Sequence, residues 1–576
     1  MSKAPTHKIE RYFVTSAQNN TNVDKQALET VKHWCKVNDA TLIVLPVRYN
    51  LDMLSEENIV YSDLIKPYLI NDDIIINDEI ALYPSIKILP TAINPLTSLA
   101  QISKGISAIF ASPKMHMESL VKVSKDAINR FNFTSGSITI PNYGNSKAGS
   151  KAKFYHSMGG VIIECSTLTK ETHTRQVQID NNGAFIDIGT MYNGNNRPVS
   201  VRVSAMVCGD VHVPFNDDGV LYTAYLSEKS LVKSTKPEKI VLHDIMDFRV
   251  KSHHTAGNAI EGYLIGNSGL TRMDEVKQSI TFIKNVATMA DEVIIVDSNH
   301  HNHLGQYLEK CLSKGISDTR NAKEILYMQL MLLEEIDSIQ SGLDTDSAKC
   351  DIKVPDVFGL LIRDINGVKV LGADDSYFIG DYLISSHGHA GMNGSRSMTS
   401  ISKHSTSKLV SAHTHSAKLI DGHVIVGTQS NLNRNYTKGF STWSHTDCLL
   451  HKNGKPQLIT YNYDTKNFRV LGNTNSKSKL ITYIEKTEYI NDIPIVKKSK
   501  DNDKPKKMEY VVEKTNFPKE RVVSTGYRKI AKNITGISER FAMKLIKKCK
   551  KGKNSNKGIV TMEHNGNVYT IERVIK

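Results

Sequence analysis

The chain has 576 residues, more than one hydrophobic core usually supports, so we expect two to four domains. With 40% hydrophobic and 23% charged residues, its composition excludes a disordered or fibrous chain and is that of an ordinary globular protein. The formal net charge of +14 favours a polyanionic partner such as nucleic acid.

Membrane insertion and secretion are not expected from this sequence. No stretch approaches the roughly 20 apolar residues that span a bilayer, and the first residues lack the apolar core of a secretory signal. We therefore expect a cytoplasmic protein without membrane contact. The seven cysteines are scattered and contain no CxxC pair, so they are expected to be reduced packing residues.

The N-terminal third has strand-like and helix-like patterns in alternation. Residues 11–18 and 40–47 are rich in β-branched and apolar side chains, and residues 24–39 between them have helical spacing. Further strand-like runs are DIIINDEIALYPSIKILPT, GISAIFASP and GGVIIECSTLT. We predict an α/β domain over residues 1–195, in which the polar stretch 142–153 (NYGNSKAGSKAK) forms a basic loop.

The central region, residues 196–465, repeats a different pattern, in which short apolar strands end in clusters of His, Asp and Asn. The five runs are VSAMVCGDVH, KIVLHDIMD, EVIIVDSNHH, YLISSHGHA and KLVSAHTHS. Strand ends and the loops after them commonly build the functional sites of α/β folds. A helix predicted over residues 321–340 interrupts the series.

The C-terminal region, residues 466–576, carries most of the excess charge. From residue 481 onward it has 23 Lys and Arg against 11 Asp and Glu. Residues 536–558 predict an amphipathic basic helix followed by a loop. This favours a small nucleic-acid-binding domain, while a soluble basic face or a protein-contact arm remains an alternative.

The polar clusters of the central region contain the residue types that bind transition metals. Three HxH pairs occur between residues 301 and 415, where chance would give about one among 21 histidines in the whole chain. A two-metal hydrolase needs carboxylate and imidazole ligands that converge on ions roughly 3.5–4 Å apart. Ligands so rich in imidazole favour Mn²⁺, with Fe or Zn²⁺ as alternatives, over Mg²⁺ or Ca²⁺.

In order and spacing, the series DxH, HDxxD, NH, HGH and HTH resembles the motifs of the calcineurin-like metallophosphoesterase superfamily. The resemblance implies a β-sandwich flanked by helices, with two divalent metal ions at one edge. It implies seven metal ligands: Asp210, His212, Asp244, Asn299, His387, His413 and His415. The choice of His387 over His389 rests on this resemblance. His300 would be the catalytic acid that protonates the leaving oxygen.

The sequence departs from the family pattern at four positions next to the proposed ligands. These are His243, Ser298 and Ala412, where the family has glycine, and His301, where it has an acidic residue. The departures leave the ligands in place and alter the expected shape of the pocket.

Four basic side chains are candidates for substrate phosphate contacts: Arg249, His253, His254 and His301. An Arg fork can bond phosphate oxygens bidentately. A solvated basic turn explains the segment after Asp244 equally well.

The whole arrangement resembles large tailed-phage metallophosphoesterases, including pre-early nucleases that degrade host DNA, and the nuclease subunit of the SbcCD complex. The resemblance implies a DNase that hydrolyses DNA in the host cytoplasm with little sequence preference, since no base-reading motif is present. The alternatives are a nucleotide or RNA phosphodiesterase or phosphatase, and a non-catalytic DNA-binding adaptor for host takeover. The N-terminal domain could form the interface of a homo-oligomer.

Overall fold

The computed structural model describes residues 9–48, 59–122, 128–248, 269–342, 354–391, 405–434 and 439–470, two isolated positions at 260 and 263, and four strands between 508 and 575. The chain divides into two compact units, Met1–Pro494 and Ile495–Lys576. The first unit contains sheets and helices together, which confirms the predicted α/β fold class.

The first unit begins with the predicted β-α-β arrangement. Strand Ile9–Gln18, helix Lys25–Val37 and strand Ala40–Val47 follow one another, and the two strands pair in parallel. Asp24 caps the helix, because its carboxylate accepts a hydrogen bond from the backbone of Ala27 at 2.9 Å. Two antiparallel strands complete this four-stranded sheet, Gly159–Ser166 and Thr172–Gln178.

A six-stranded sheet forms the centre of the unit. In spatial order its strands are Val368–Val370, Glu292–Ile295, Lys239–Leu242, Ala205–Val207, Thr446–Leu450 and Pro456–Thr460. The first four are parallel to one another, whereas Thr446–Leu450 is antiparallel to both of its neighbours, Ala205–Val207 and Pro456–Thr460.

A ten-stranded sheet contains strands from two distant parts of the chain. In spatial order its strands are Phe378–Ile379, Tyr382–Leu383, Lys408–Ser411, His423–Ile425, Lys418–Ile420, Met117–Ser119, Phe131–Thr134, Ser107–Phe110, Ile80–Tyr83 and Ile74–Ile76. Lys418–Ile420 and Met117–Ser119 pair across the predicted boundary at 195/196. The sheet therefore contains strands from both sides of that boundary. The three-domain division stays a prediction.

The six-stranded sheet has a hydrophobic core on each face. Ala205, Val207 and Val241 share one core with residues of the ten-stranded sheet, so these two sheets pack as a sandwich. Met206 and Ile240 point the other way, into a core built with helices. The helices of this part of the chain are Asp218–Leu221, Leu231–Thr235, Arg272–Val286, Asn302–Lys314, Ala322–Ser341 and Val357–Ile362. The helix predicted over 321–340 is confirmed.

Short elements complete the first unit. A three-stranded sheet is formed by Phe185–Asp187, Thr190–Tyr192 and Val199–Ser200. One-turn helical segments are Lys66–Tyr68, Tyr222–Leu226 and Thr319–Asn321.

The polar stretch predicted as a loop is instead partly a helix, Lys147–Tyr155. Ser146 starts it, because the serine hydroxyl accepts a hydrogen bond from the backbone of Gly149 at 3.0 Å. Lysine and alanine are strong helix formers, and Ala152 anchors the helix by being buried. The loop prediction gave the glycines and serines too much weight.

The second unit contains a four-stranded antiparallel sheet. In spatial order its strands are Glu520–Ser524, Met508–Lys514, Asn567–Ile575 and Ile559–His564. The basic helix predicted over 536–558 lies outside the described residues.

In the described part of the chain, no helix combines the length and the continuous apolar surface that crossing a lipid bilayer requires. The five cysteines in the described part of the chain are free and buried, as predicted: Cys35, Cys165, Cys208, Cys311 and Cys448.

A buried ion-pair cluster joins the four-stranded sheet to the neighbouring strands. Arg175, 5% exposed, lies 2.6 Å from Asp187 (Nε to Oδ1) and 3.3 Å from Glu164 (Nη1 to Oε2). The amide of Gln457, on the edge strand of the six-stranded sheet, donates to Asp187 at 3.0 Å. Burial would raise the pKa of Glu164, but Arg175 lowers it to about 2.

Arg175→Met should lower the free energy of unfolding by about 3–5 kcal/mol, because it leaves the buried Asp187 without its cation and Glu164 with only the more distant Arg11, at 3.4 Å. Urea unfolding followed by circular dichroism measures the change. Lys233→Met is the matched control, since the Lys233–Glu228 pair is exposed and is expected to contribute at most about 1 kcal/mol. Equal unfolding midpoints for the two variants would contradict this role of Arg175.

Candidate metal centre

The predicted polar clusters follow strands that end at one place between the two large sheets. Strands Ala205–Val207, Lys239–Leu242 and Glu292–Ile295 are parallel neighbours in the six-stranded sheet. Strands Tyr382–Leu383 and Lys408–Ser411 are parallel neighbours in the ten-stranded sheet. Because the carboxyl ends of parallel neighbours share one edge, side chains 100 to 200 residues apart in sequence can meet there.

One group of predicted ligands consists of Asp210, His212 and His415, all buried. Nε2 of His415 lies 2.8 Å from Oδ2 of Asp210 and 3.1 Å from Nε2 of His212. Each residue offers one ligand atom, and these atoms lie within 4.8 Å of one another. This group could hold a metal ion.

A second group consists of Asp244, His387 and His413, whose ligand atoms also lie within 4.8 Å of one another. Nε2 of His387 lies 3.1 Å from Oδ2 of Asp244. His389 has its ring centroid 5.5 Å from that of His387 and is not part of the group, so the geometry favours His387 as the ligand. Asn299 has a buried Oδ1 that lacks a hydrogen-bond partner among the described residues, as expected of an atom available to an ion.

The two groups adjoin. Oδ2 of Asp244 is 4.0 Å from Nε2 of His212, and Oδ1 of Asp210 is 3.9 Å from Nδ1 of His387. Asp244 therefore lies next to ligands of both groups. Carboxylate oxygens and imidazole nitrogens in this combination suit divalent transition metals, so the donor set fits a metal centre.

The two aspartates are held ionised by the imidazoles around them. Burial would raise the pKa of Asp210, but His387 and His415 hold it well below its usual range. Burial would also raise the pKa of Asp244, but His387 and His300 hold it well below its usual range. The same attraction outweighs burial at His387 and raises its pKa to about 9, whereas burial and the nearby His387 lower the pKa of His413 to about 4.

Four of the predicted ligands have a left-handed backbone conformation: His212 (φ 52°), Asp244 (φ 38°), His413 (φ 67°) and His415 (φ 57°). Such residues cost of the order of 1–3 kcal/mol each and occur mainly at functional sites. Gly209, directly before Asp210, has no room for a side chain, because a Cβ there would lie 2.7 Å from the backbone of Gly427 and Thr428. The surrounding fold therefore imposes the conformation of the ligand loops.

Asp247 and Arg434 join the centre without having been predicted as site residues. Oδ1 of Asp247 lies 2.9 Å from Nδ1 of His212, and Oδ2 of Asp247 pairs with Nη2 of Arg434 at 2.6 Å. A carboxylate behind a ligand histidine fixes the ring and directs its other nitrogen to the site. Asp247 is the second aspartate of the HDxxD motif, which was a usable signal, whereas no local pattern marks Arg434.

His300 lies beside the same aspartate. Its Nδ1 donates to the backbone carbonyl of Asp247 at 2.9 Å, and its backbone N–H donates to Oδ1 of Asp244 at 3.3 Å. The first bond fixes the tautomer and leaves Nε2 to exchange protons. Burial would lower the pKa of His300, but Asp244 and Asp247 raise it.

Of the four predicted phosphate contacts, only His301 lies among the described residues. His301 is fully buried, its Nε2 accepts from the backbone of Ile245 at 3.2 Å, and its ring packs against Phe358. It therefore supports the ligand loop and is not accessible to a substrate, which corrects that prediction. Arg249, His253 and His254 lie outside the described residues.

Two of the residues that depart from the calcineurin-like motifs, His243 and Ala412, are buried. His243 is fully buried with its ring 5.5 Å from that of His387, and burial lowers its pKa to about 3. Ala412 is buried too. Both side chains therefore pack behind the ligands instead of lining an open pocket.

Comparison with known proteins gives one informative result. Protein A1 of Escherichia phage T5 is 26% identical to this chain over 474 residues, which cover 78% of this chain and 82% of that protein. No protein-family model matches the chain. No solved structure matches it. The chain is therefore homologous to a phage protein along most of its length, including the region that forms the candidate metal centre.

Proposed function

We propose that the protein is a Mn²⁺-dependent DNase with two metal ions, which hydrolyses phosphodiester bonds of DNA with little sequence preference. The observation that carries the proposal is the pair of adjoining buried groups, Asp210–His212–His415 and Asp244–His387–His413, which unite six of the seven predicted ligands. Asn299 would be the seventh ligand, and Asp244 would help to hold both ions.

When bound, two divalent ions at these ligands would acidify a water molecule and neutralise the charge of a phosphodiester. The chain's own residues position the reaction. Asp247 holds the ring of His212, and the backbone carbonyl of Asp247 holds the ring of His300. His300 then donates a proton from Nε2 to the departing sugar oxygen, which is the role of a general acid.

DNA is the proposed substrate because of charge and of the similarity to a phage protein. The net charge of +14 and the basic region after residue 481 supply electrostatic attraction to a polyanion. Similarity to protein A1 of a phage supports a role in infection, and degradation of host DNA in the host cytoplasm is the proposed outcome. The proposed metal ligands alone do not determine which phosphoester is the substrate.

Two alternative functions predict different results when activity and DNA binding are measured. A nucleotide or RNA phosphodiesterase of the same fold would act on RNA or a cyclic nucleotide faster than on DNA at equal enzyme. A non-catalytic adaptor would bind DNA and release nothing. The position of His300 disfavours the adaptor, because a structural metal site needs ligands and has no use for an acid.

Asp244→Asn should weaken Mn²⁺ binding by more than about tenfold, since loss of a ligand exceeds the usual 10- to 100-fold effect of changing a group behind a ligand. The fold should persist, because Asn tolerates the positive φ of Asp244 and one buried charge is removed. Calorimetric titration with Mn²⁺ after EDTA treatment measures the affinity. Asp39→Asn, an exposed aspartate that also has positive φ, is the matched control. Unchanged Mn²⁺ binding by Asp244→Asn would contradict the centre.

His300→Ala and His300→Gln should both slow cleavage of plasmid DNA by about 10²- to 10⁴-fold, the usual contribution of a positioned acid. Gel electrophoresis in Mn²⁺, with EDTA as the inactive reference, measures the rates. Mn²⁺ affinity should stay within about tenfold of wild type, and His33→Ala on the N-terminal helix should cleave normally. Wild-type rates in both His300 variants would refute its role as the acid.

A further inference from the structure

A buried lysine lies near the metal centre. Lys122 is 5% exposed, and its ammonium lies 5.8 Å from the centroid of the Tyr463 ring. Within the described part of the chain, no carboxylate forms an ion pair with it. Burial, together with the charge of Lys466, lowers the pKa of Lys122 to about 8. A cation in such surroundings costs stability unless an anion joins it.

A second lysine shares the same ring. Nζ of Lys466 lies 4.9 Å from the Tyr463 centroid and 2.9 Å from Oδ2 of Asp217. Its charge is thus already matched by Asp217, which also lies 3.6 Å from Nε2 of His445. The described residues of the cluster contribute two ammonium groups and one carboxylate, and this net positive charge favours binding of an anion.

The cluster is connected to the metal centre by short contacts. The backbone N–H of Lys122 donates to the carbonyl of Ser441 at 2.8 Å. Two residues later, the Trp443 ring packs against His415, with centroids 4.1 Å apart. Since consecutive Cα atoms are about 3.8 Å apart, the backbone of Lys122 lies on the order of 10–15 Å from His415.

That separation suits a polymer substrate. Each strand of DNA carries one phosphate per about 3.4 Å of helix axis, so a phosphate at the cluster would be a few nucleotides from the bond at the metals. Phe440, directly before Ser441, is 73% exposed and offers a ring on which a base could stack. A small phosphodiester bound at the metals would not reach this position.

We propose that Lys122 and Lys466, with the Tyr463 ring between them, form a subsite for a backbone phosphate of the substrate strand, a few nucleotides from the cleaved bond. The inference rests on the proposed function and deepens it, because it specifies a polynucleotide as the substrate. Lys122 supplies a charge that no described carboxylate matches, and Lys466 shares its own charge between Asp217 and the phosphate.

Lys122→Met is the variant that tests the subsite, because its removal leaves no described carboxylate unpaired. Binding of a fluorescently labelled 30-base-pair DNA is measured by anisotropy in EDTA at several NaCl concentrations. We expect affinity to decrease about fivefold and the slope of log affinity against log salt to decrease by about 0.9, the value for one lost phosphate contact. Unfolding in urea should occur at an equal or higher midpoint.

Lys32→Met is the matched control, since Lys32 is another lysine placed over a tyrosine ring, Tyr68, on the N-terminal helix. It should bind DNA with wild-type affinity and salt slope. Affinity and slope of Lys122→Met equal to those of this control would overturn the subsite, as would an absence of DNA binding by the wild-type protein.

Turnover separates this inference from the proposed function. Lys122→Met should hydrolyse bis(4-nitrophenyl) phosphate in Mn²⁺ at the wild-type rate, while its kcat/KM on DNA decreases about fivefold. Equal loss on both substrates would overturn the subsite by showing damage to the centre. Weaker DNA binding by Lys122→Met without turnover of any phosphodiester by wild type would support the subsite and refute the nuclease.

Discussion

Two buried aspartates, Asp210 and Asp244, lie next to each other and are both held in the ionised form. Two negative charges inside a protein repel and are poorly solvated, so they require cations beside them. Imidazoles meet part of that requirement, since His415 contacts Asp210 and His387 contacts Asp244. Bound metal ions would meet it more completely, and the rest of the site is arranged around this need.

The fold imposes the meeting of these charges. Strands of two sheets end at one edge, and their packing into a sandwich leaves little freedom for the loops that follow. The positive φ angles of His212, Asp244 and His413 are stable only because hydrogen bonds and close backbone contacts surround them. Helices on the outer face of the six-stranded sheet pack against it in a second hydrophobic core. Rigidity of this kind would keep the proposed ligands in place before an ion binds.

Under the proposed function, the choice of substrate depends on residues other than the proposed metal ligands. The proposed ligands could serve many phosphoesters, whereas the charge of the chain and the lysines around Tyr463 favour a polyanion. Lys122 is informative because a buried cation that no described carboxylate matches does not help folding. The same reasoning distinguishes Arg175, whose charge is matched by Glu164 and Asp187 and which therefore belongs to the architecture.

The sequence by itself determined the strands that precede the site, the opening β-α-β unit and the long helix, because each is set by a local pattern of apolar residues. It also grouped the ligand candidates, since every motif directly follows a strand. Local pattern was insufficient at residues 147–155, where a cap at Ser146 starts a helix, and at His301, which the fold buries. Only the tertiary structure decided that strands on both sides of residue 195 share one sheet, and that Arg434 pairs with Asp247 and Trp443 packs on His415. These contacts join distant parts of the chain, and packing in three dimensions, not sequence spacing, brings their atoms together.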